Sequence, residues 1–562
     1  MLRNVLRRQV LPETLPMPNQ DLRSLFLDDK APGLNHRRVP SAMRSVLFGL
    51  PLLFSGVVAV LLVMAFQNDS QLTAAETILI ALMALLAGWE ALPSANAIIG
   101  IIAKRRLQPP RSEGNLTVAI LATIRDENAN DVISGKLKLL RSLQNAPRHS
   151  FVLHILSDSS SVAQVAQERH LIAAAPPVSV FHHHRPFNVD FKSGNIRNWI
   201  SNHGAAHDAF IILDADSELD SGTALALADS LADDQACGLI QAVPMVLPGG
   251  TRWQRMQSIA SRYYGELQGE GLSAWMGDEA NYYGHNAIIR TKVFAACAGL
   301  PHLKGHGLWN GTILSHDFVE AALLRRAGWA VRLLPNTAGS FELAPTDVIA
   351  HLKRDARWCL GNFQHSRILG AKGLHPLSRF HLLSGIFAYL SSVVWLAIIA
   401  VWALLDSTRA SVGGNLAASA FALIALNLLL PRVLGTLDAA RRKPSLRWKV
   451  FSAALIETLF SSLFAASLML QRVKIIGSVL ANQRVAWAPF EKSNHSLVDY
   501  CVFHGLEVLS GLGLLACVER GSLTLWFLPL AVCLAGTPLF SWFAAQHVPP
   551  HTHEKLIAAT PL

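Results

Sequence analysis

Charged side chains are scarce in this sequence. Only 16% of its 562 residues are Asp, Glu, Lys or Arg, whereas 51% are hydrophobic. Soluble proteins with several domains normally contain about a quarter charged residues, so that class is disfavoured. The composition favours a membrane protein.

Cysteine is scarce as well, and its spacing argues against two kinds of site. The six cysteines show no C-x-x-C spacing and no paired pattern, since they stand at positions 237, 297, 359, 501, 517 and 533. Neither a zinc site nor a disulfide scaffold is indicated. We therefore expect reduced thiols in a cytoplasmic or buried setting.

Acidic residues are fewer than basic residues, 39 against 49, which gives a net charge of +10. Most of the basic excess lies beside apolar runs, where an anionic membrane surface attracts it, so we expect no nucleic-acid partner. The first apolar run begins only at residue 45, and we therefore expect no cleaved signal peptide.

Long apolar runs are what the sequence has instead. Residues 45–66 carry no charge, and residues 77–103 are interrupted only by Glu90 and Pro93. Each run is longer than the about 20 residues that a helix needs to cross a hydrocarbon core. Five further candidates follow residue 380, at 382–405, 412–431, 450–470, 501–518 and 521–545.

The apolar runs divide the chain into six parts. These are a cytoplasmic segment (1–44), two transmembrane helices (45–103), a cytoplasmic soluble domain (112–350), an interfacial amphipathic segment (351–380), a membrane domain of five or six spans or re-entrant segments (382–545), and a cytoplasmic tail (546–562). The lipid bilayer is thus an expected partner of the chain.

Basic residues indicate the orientation. Eight Lys or Arg residues precede residue 45, whereas the loop 67–76 has none, so the N-terminus and the soluble domain are predicted to lie in the cytoplasm. Counting residues 450–482 as one crossing would place Arg472 and Lys474 on the other side. We therefore predict a hairpin or re-entrant element in that segment.

The region between the two groups of apolar runs alternates β-rich and helical patterns. The predicted strands are 116–123, 151–157, 178–184, 209–213 and 238–245, and the predicted helices are 163–173, 192–202 and 224–232. This alternation predicts a Rossmann-like α/β domain with a doubly wound, mostly parallel sheet. Ligands lie at the carboxyl ends of the strands in such sheets.

Acidic side chains follow three of these strands. Glu127 follows the first strand, Asp158 the second, and Asp214-Ala-Asp216 the fourth. One acidic residue at a strand end is usually a helix cap or a turn residue, but three in one sheet favour a site. Residues two apart project to the same side, so Asp214 and Asp216 can reach one hard cation that also binds substrate phosphates.

Two further motifs carry suitable chemistry. Asp317 lies near the start of a helix predicted over 313–328, where it is either an N-cap or a general base. Arg354, Arg357 and Trp358 lie within about one helical turn, just before the second group of apolar runs. Arginine forks suit a diphosphate and a Trp face suits a sugar, but an interfacial Trp with snorkelling arginines has the same pattern.

The order of these motifs resembles a known family. Asp158, the D-x-D of 214–216, Asp317 and the R-x-x-R-W of 354–358 are similar to the D, D-x-D, T-E-D and Q-x-x-R-W motifs of processive family 2 glycosyltransferases. Longer strings resemble the subfamily of bacterial osmoregulated periplasmic glucan glucosyltransferases: LDADS (213–217), YYGHNAIIR (282–290) and ILSHDFVEAALLRRAGW (313–329). Ser315-His316 replaces T-E, and Arg354 replaces Gln, as in that subfamily.

The resemblance implies a fold and an activity. The fold is a GT-A-type α/β domain in the cytoplasm, inserted in an α-helical, multi-pass domain of the bacterial inner membrane. The activity is inverting, processive transfer of glucose from UDP-glucose to a growing β-1,2-linked glucan chain, which the membrane helices export. Implied partners are a periplasmic glucan-processing protein or an acyl carrier protein.

The resemblance also implies residue roles. Asp317 would be the catalytic base, and Asp214 with Asp216 would hold Mg²⁺ or Mn²⁺. The implied contacts of the donor nucleotide are Glu127, Asp158, Lys192, Asp214, Arg354 and Arg357. Trp358 and His285 would contact the acceptor sugar.

Three other functions remain open from the sequence. A synthase of a different β-linked polysaccharide would share every motif above. A catalytically silent membrane protein that senses nucleotide sugars would be favoured by loss of a carboxylate, yet Asp158, Asp214, Asp216 and Asp317 are all present. A transporter ranks last because few ionisable residues lie within the spans.

Overall fold

The computed structural model describes nine stretches of the chain: residues 14–26, 41–67, 71–103, 114–144, 148–175, 178–335, 339–408, 415–483 and 495–548. Most of the predicted N-terminal segment 1–44 and tail 546–562 therefore lies outside the described residues.

Within the described stretches, ten strands form two sheets. The strands are β1 (Thr117–Ile124), β2 (Ser150–Ser157), β3 (Val180–His184), β4 (Ala209–Leu213), β5 (Ser217–Leu219), β6 (Cys237–Ala242), β7 (Met245–Leu247), β8 (Ala287–Arg290), β9 (Ala330–Leu334) and β10 (Ser340–Leu343). Seven strands make the large sheet in the order β3-β2-β1-β4-β8-β6-β9, and three make a small sheet in the order β5-β10-β7.

Seventeen α-helices are present in the described residues. They are α1 (Ser41–Gln67), α2 (Ala74–Ala103), α3 (Ala129–Leu143), α4 (Val162–Ala173), α5 (Phe191–His203), α6 (Ser221–Asp233), α7 (Arg252–Ala260), α8 (Glu266–Met276), α9 (Thr291–Cys297), α10 (His316–Arg326), α11 (Val348–Gln364), α12 (Pro376–Thr408), α13 (Asn415–Arg442), α14 (Arg447–Leu480), α15 (Leu497–Phe503), α16 (Gly505–Glu519) and α17 (Leu528–Ala545).

The large sheet is mostly parallel, as predicted. β1 pairs in parallel with both β2 and β4, β2 with β3, and β6 with β9. β8 is the exception, because it runs antiparallel between β4 and β6. All the predicted strands are present within a few residues of their predicted bounds.

Helices cover both faces of this sheet, which explains why its central strands are apolar throughout. Ala119 and Leu121 of β1 pack with Trp199 of α5 on one face. Val118 and Ile120 pack on the other face, in a second core. Successive side chains of a strand point to opposite faces, so a strand buried on both sides has no polar face.

Capping residues fix where several of these helices begin. The side chain of Asn128 accepts a hydrogen bond from the backbone N–H of Asn130 at the start of α3, and Asp220 accepts one from Thr223 at the start of α6. Both caps directly follow strands of the two sheets. They therefore fix the short loops at the carboxyl ends of these strands, where ligands bind in such folds.

Six helices of the described residues are long and apolar enough to cross a membrane, and a seventh span is formed if α15 and α16, bent by 73°, count as one. The hairpin or re-entrant element predicted in 450–482 is wrong, because α14 is a single continuous helix of 34 residues. No proline interrupts this helix, and its charged Arg472 is paired with Asp355 of α11.

α14 contacts the α/β domain at both of its ends. Near its start, Glu457 accepts a hydrogen bond from Tyr264, with an O–O distance of 2.8 Å. Near its end, Ile476 and Val479 pack with Leu308. A helix with both ends against one domain lies along that domain. Arg472 and Lys474 then stay on the same side of the membrane as the α/β domain, which removes the difficulty of counting residues 450–482 as one crossing.

The first two membrane helices are packed tightly against the domain. The Trp275 indole N–H donates to the Asn96 side chain over 3.0 Å, joining α8 to α2. A Cβ atom on Gly271 would lie only 2.1 Å from the backbone oxygen of Asn96. This crossing therefore needs glycine.

We predict that Gly271→Ala weakens the contact between α8 and α2. The added methyl group meets a backbone atom that cannot rotate away, so we expect a destabilisation of about 1–3 kcal/mol, measured as a lower Tm of the purified protein. Gly135→Ala is the control, because a Cβ at position 135 meets nothing within 4 Å. An equal Tm change in both variants would contradict the tight crossing.

The course of α14 predicts the accessibility of its ends. In a variant without native cysteines, single cysteines at Ser445 and Gln483 should both react with an impermeant maleimide from the same side of the membrane. A cysteine at Gln71, in the turn between α1 and α2, should react from the opposite side. If Gln483→Cys and Gln71→Cys reacted from the same side of the membrane, α14 would cross the membrane, which contradicts a course along the domain.

Candidate active site

A cavity of about 1920 Å³ lies at the carboxyl ends of β1, β2 and β4. Its walls include the loops after these strands, the start of α10, the small sheet and α11. At its far end it reaches α12 and α14 of the membrane domain. The cavity therefore connects the sheet edge, where ligands are expected, to the membrane helices.

Asp214 and Asp216 line this cavity, two residues apart after β4. The Lys192 ammonium forms an ion pair with Asp214 and donates to the carbonyl oxygen of Gly284 over 2.7 Å. Burial alone would raise the pKa of Asp214, but the charges of Lys192 and His285 hold it below its ordinary value. Burial raises the pKa of Asp216, and the charge of Asp214 raises it further.

Glu127 lies beside the same carboxylates. Its side chain accepts a hydrogen bond from the backbone N–H of Arg125. Burial raises the pKa of Glu127 to about 7, and the charges of Asp214 and Asp216 add to this rise. Three acidic groups therefore share one end of the cavity.

Asp158 also lines the cavity, but its carboxylate is occupied. Arg185 donates to both of its oxygens, from Nε to Oδ1 and from Nη2 to Oδ2, each over 2.8 Å. Its backbone N–H donates to the carbonyl oxygen of Ile124 over 2.9 Å. Asp158 thus ties Arg185, just after β3, to the loops that follow β1 and β2.

Asp317 lies in the first turn of α10 and faces Gly284. Position 284 has a φ of 88°, and a Cβ atom there would lie 3.5 Å from Oδ2 of Asp317. Burial raises the pKa of Asp317, and the neighbouring charge of Glu320 adds to that rise, while His316 opposes it. The carboxylate is therefore a stronger proton acceptor than a solvated aspartate.

His285 is held between the two sheets. Its Nδ1 lies 3.0 Å from the hydroxyl of Ser217, and its Nε2 lies 3.4 Å from the carboxylate of Glu342. Burial would lower the pKa of His285, but the hydrogen bond to Glu342 and the charge of Asp214 raise it above its ordinary value. Glu342 was not predicted from the sequence.

Arg354, Arg357 and Trp358 of α11 form the opposite wall. Neither guanidinium makes an ion pair with a described residue, and the Nε of Arg354 is buried without a hydrogen-bond partner there. The guanidinium carbon of Arg354 lies 4.5 Å from the centre of a Trp358 ring, which is 47% exposed towards the cavity. Two cationic groups are thus available to an anion beside an exposed aromatic face.

Asp355, on the same helix, connects the site to the membrane domain. Its carboxylate accepts from the hydroxyl of Tyr389 over 3.0 Å and from Nε of Arg472 over 2.9 Å. Tyr389 and Arg472 belong to α12 and α14, and both line the cavity. Neither residue belongs to a motif that predicts a place in the site from the sequence.

Lys136 is a further group that was missed. It is buried in α3, and its ammonium donates to the carbonyl oxygen of Ser217, next to Asp216. Burial lowers the pKa of Lys136 to about 8, although the charges of Asp216 and Asp214 oppose this change. The helix that carries Lys136 has a signal in the sequence, because Asn128 is an N-cap and apolar residues recur with helical spacing through residue 143.

A divalent cation fits the chemistry of the Asp214–Asp216 pair. Within the part of the chain that the structure describes, one lysine contacts these two carboxylates, which leaves negative charge that a hard cation would neutralise. Among the described stretches of chain, no group of three or more His, Cys, Asp or Glu residues has metal-binding geometry. A cation held by Asp214 and Asp216 would therefore have further coordination positions open to a substrate.

The fold and these motifs place the chain in a class of enzymes. A family model described as "Glycosyl transferase family group 2" matches residues 209–432, from β4 to α13. The predicted GT-A-type α/β domain, combined with apolar helices long enough to span a membrane, is confirmed. The protein is a glycosyltransferase.

Relatives narrow the assignment. The chain is 34% identical over 534 residues to "Glucans biosynthesis glucosyltransferase H" of Vibrio cholerae serotype O1, covering 87% of this chain and 73% of that protein. It is 33% identical over 535 residues to the protein of the same name from Shewanella oneidensis, with the same coverage. The chain belongs to the glucans biosynthesis glucosyltransferase H family.

A solved structure is similar in fold. The mannosyltransferase of Pyrobaculum calidifontis in complex with GDP-Man and Mn²⁺ has a TM-score of 0.46 and 14% sequence identity, covering 73% of this chain and all of that one.

The raised pKa of Glu127 predicts a pH-dependent loss of stability. Between pH 4.5, the ordinary value, and about 7, the folded protein keeps a proton that the unfolded chain has released, so stability falls as pH rises. Glu127→Gln removes this loss. We expect the variant to be more stable than the wild type by about 3 kcal/mol at pH 8, and equal to it at pH 4.

The measurement is the Tm of both proteins across this pH range, with EDTA present so that no divalent ion shifts the titration. A difference in Tm that does not change with pH would contradict the raised pKa.

Proposed function

We propose that this protein is an inverting, processive glucosyltransferase that transfers glucose from UDP-glucose to a growing β-1,2-linked glucan. One observation carries the proposal most directly. A single cavity contains the Asp214–Asp216 pair, Asp317 and two unpaired arginines, and it extends to the membrane helices. The family name of the relatives supplies glucose and glucan as substrate classes.

The donor binds at the edge of the sheet. Glu127 and Asp158, after β1 and β2, contact the nucleoside, with Asp158 held in position by its two bonds to Arg185. The diphosphate lies between Lys192 on one side and the guanidinium groups of Arg354 and Arg357 on the other. Charge-assisted hydrogen bonds from arginine suit phosphate oxygens in geometry as well as charge.

Asp214 and Asp216 would hold Mg²⁺ or Mn²⁺. When bound, such an ion supplies a positive charge that stabilises the diphosphate as it leaves. Lys192, in contact with Asp214, keeps that carboxylate ionised. Asp214 thus contributes to both the metal site and the donor site.

Transfer is a single displacement. Asp317 accepts the proton of the acceptor hydroxyl while that oxygen forms a bond to the anomeric carbon of glucose, and the bond from this carbon to the diphosphate breaks. UDP departs with the bonding electrons, and Arg354, Arg357 and Lys192 stabilise its charge. The raised pKa of Asp317 suits a general base.

The acceptor lies on the membrane side of the donor. Trp358 offers an exposed aromatic face to the acceptor sugar, and His285 lies at the opposite wall, held by Ser217 and Glu342. Beyond Trp358, the cavity passes Gly385, Ala388 and Tyr389 of α12. A chain that grows there enters the membrane domain, which exports it.

The enzyme is proposed to be a multi-pass protein of the bacterial inner membrane with its catalytic domain in the cytoplasm. The basic residues before α1, and the loop 67–76 that contains no Lys or Arg, support this orientation. The domain boundaries predicted above are proposed on the same grounds. A periplasmic glucan-processing protein or an acyl carrier protein is a proposed partner from family resemblance alone.

Asp317→Asn should reduce UDP release from UDP-glucose by about 10²–10⁴-fold, because it removes the base but keeps the size of the side chain. The assay uses purified full-length protein in lipid with Mg²⁺. Asp233→Asn, an exposed residue of α6 outside the cavity, should have no effect. A wild-type rate of UDP release by the Asp317→Asn protein would exclude Asp317 as the base.

The linkage of the product tests the substrate assignment separately. Methylation analysis of the polymer made from UDP-glucose should show 2-linked glucose. Another linkage would preserve the mechanism but would assign the chain to a different β-glycan synthase. UDP binding without turnover of any UDP-sugar would favour a sensor of nucleotide sugars.

A further inference from the structure

The junction between α13 and α14 is unusually basic. Residues 439–456 contain five Lys or Arg residues and no acidic residue. We define the basic junction as Arg441, Lys443, Arg447 and Lys449, which make no ion pair with the described residues. The fifth, Arg442, is paired with Glu266 and Asp438.

Positive charge at this junction is not neutralised by the fold. Burial lowers the pKa of Lys443, and the nearby charges of Arg262 and Arg442 lower it further. Arg441, Arg447 and Lys449 are exposed. Cations held close together without carboxylates attract an anion from outside the chain.

An apolar face adjoins the basic junction. Trp448 is 71% exposed, and Arg447 lies over its ring with 5.5 Å between the guanidinium carbon and the ring centre. Leu455 and Leu459, each 61% exposed, continue this face along α14 at helical spacing from Trp448. An acidic soluble protein bound to the basic junction would leave the apolar face of α14 in water. A lipid monolayer covers this face and also supplies anionic headgroups to the basic junction.

We propose that the basic junction binds the phosphate headgroups of anionic phospholipids in the leaflet facing the catalytic domain. The lipid chains lie against the apolar face of α14, with Trp448 at the depth of the headgroups. This inference rests on the proposed membrane orientation of the enzyme, and it goes beyond the proposed reaction.

The location gives this site a connection to catalysis. The same α14 carries Arg472, which bonds Asp355 and lines the cavity. Lipid headgroups at the start of the helix and the glucan cavity near its end therefore contact one continuous element.

The test is native mass spectrometry of the full-length protein titrated with phosphatidylglycerol or with phosphatidylcholine. The wild type should retain phosphatidylglycerol in preference. Arg447→Gln/Lys449→Gln should weaken that preference by about 25-fold, since each basic side chain contributes about fivefold near an anionic surface.

Arg169→Gln/Lys292→Gln is the matched control, because it removes two exposed charges from the α/β domain. This control should keep the wild-type preference. The proposal is overturned if the junction variant retains the preference or if the control loses as much of it. No sugar nucleotide is present, so the outcome is independent of whether the chain transfers glucose.

Discussion

Two arginines that make no ion pair within the described stretches of the chain define the proposed active site. Arg354 and Arg357 lie on one wall of the cavity and the Asp214–Asp216 pair lies at another, yet no ion pair joins them in the described residues. If the two arginines were paired with these two carboxylates, the cavity would hold a neutral cluster. Kept apart, they form a site that a diphosphate and a divalent cation together would neutralise.

The separation depends on how α11 is held. Buried Asp347 caps its first turn and accepts a hydrogen bond from Tyr500, over 2.9 Å. In the middle of the helix, Asp355 bonds Tyr389 and Arg472. All three partners come from the membrane domain. The wall that faces the proposed donor site is therefore positioned by the same helices through which the product is proposed to leave.

Sequence patterns predicted the α/β domain well, because each central strand is a short apolar run that ends in polar residues. β4 and the D-x-D that follows it show this most clearly. The partners of Asp355 could not be predicted, since Tyr389 and Arg472 are 34 and 117 residues away and lie within apolar helices. Glu342 reaches His285 only through the pairing of β10 with β5. The course of α14 was also missed, because hydropathy does not distinguish a helix that crosses a membrane from one that lies along a domain.

The central claim is that donor and metal occupy one site made by these opposed charges. It is tested most directly by the affinity of the full-length Asp317→Asn protein for UDP-glucose, measured calorimetrically with and without Mg²⁺. Binding should tighten by at least about tenfold with Mg²⁺, and UDP-glucose should tighten Mg²⁺ binding by the same factor. Equal affinity with and without the ion would contradict a shared site.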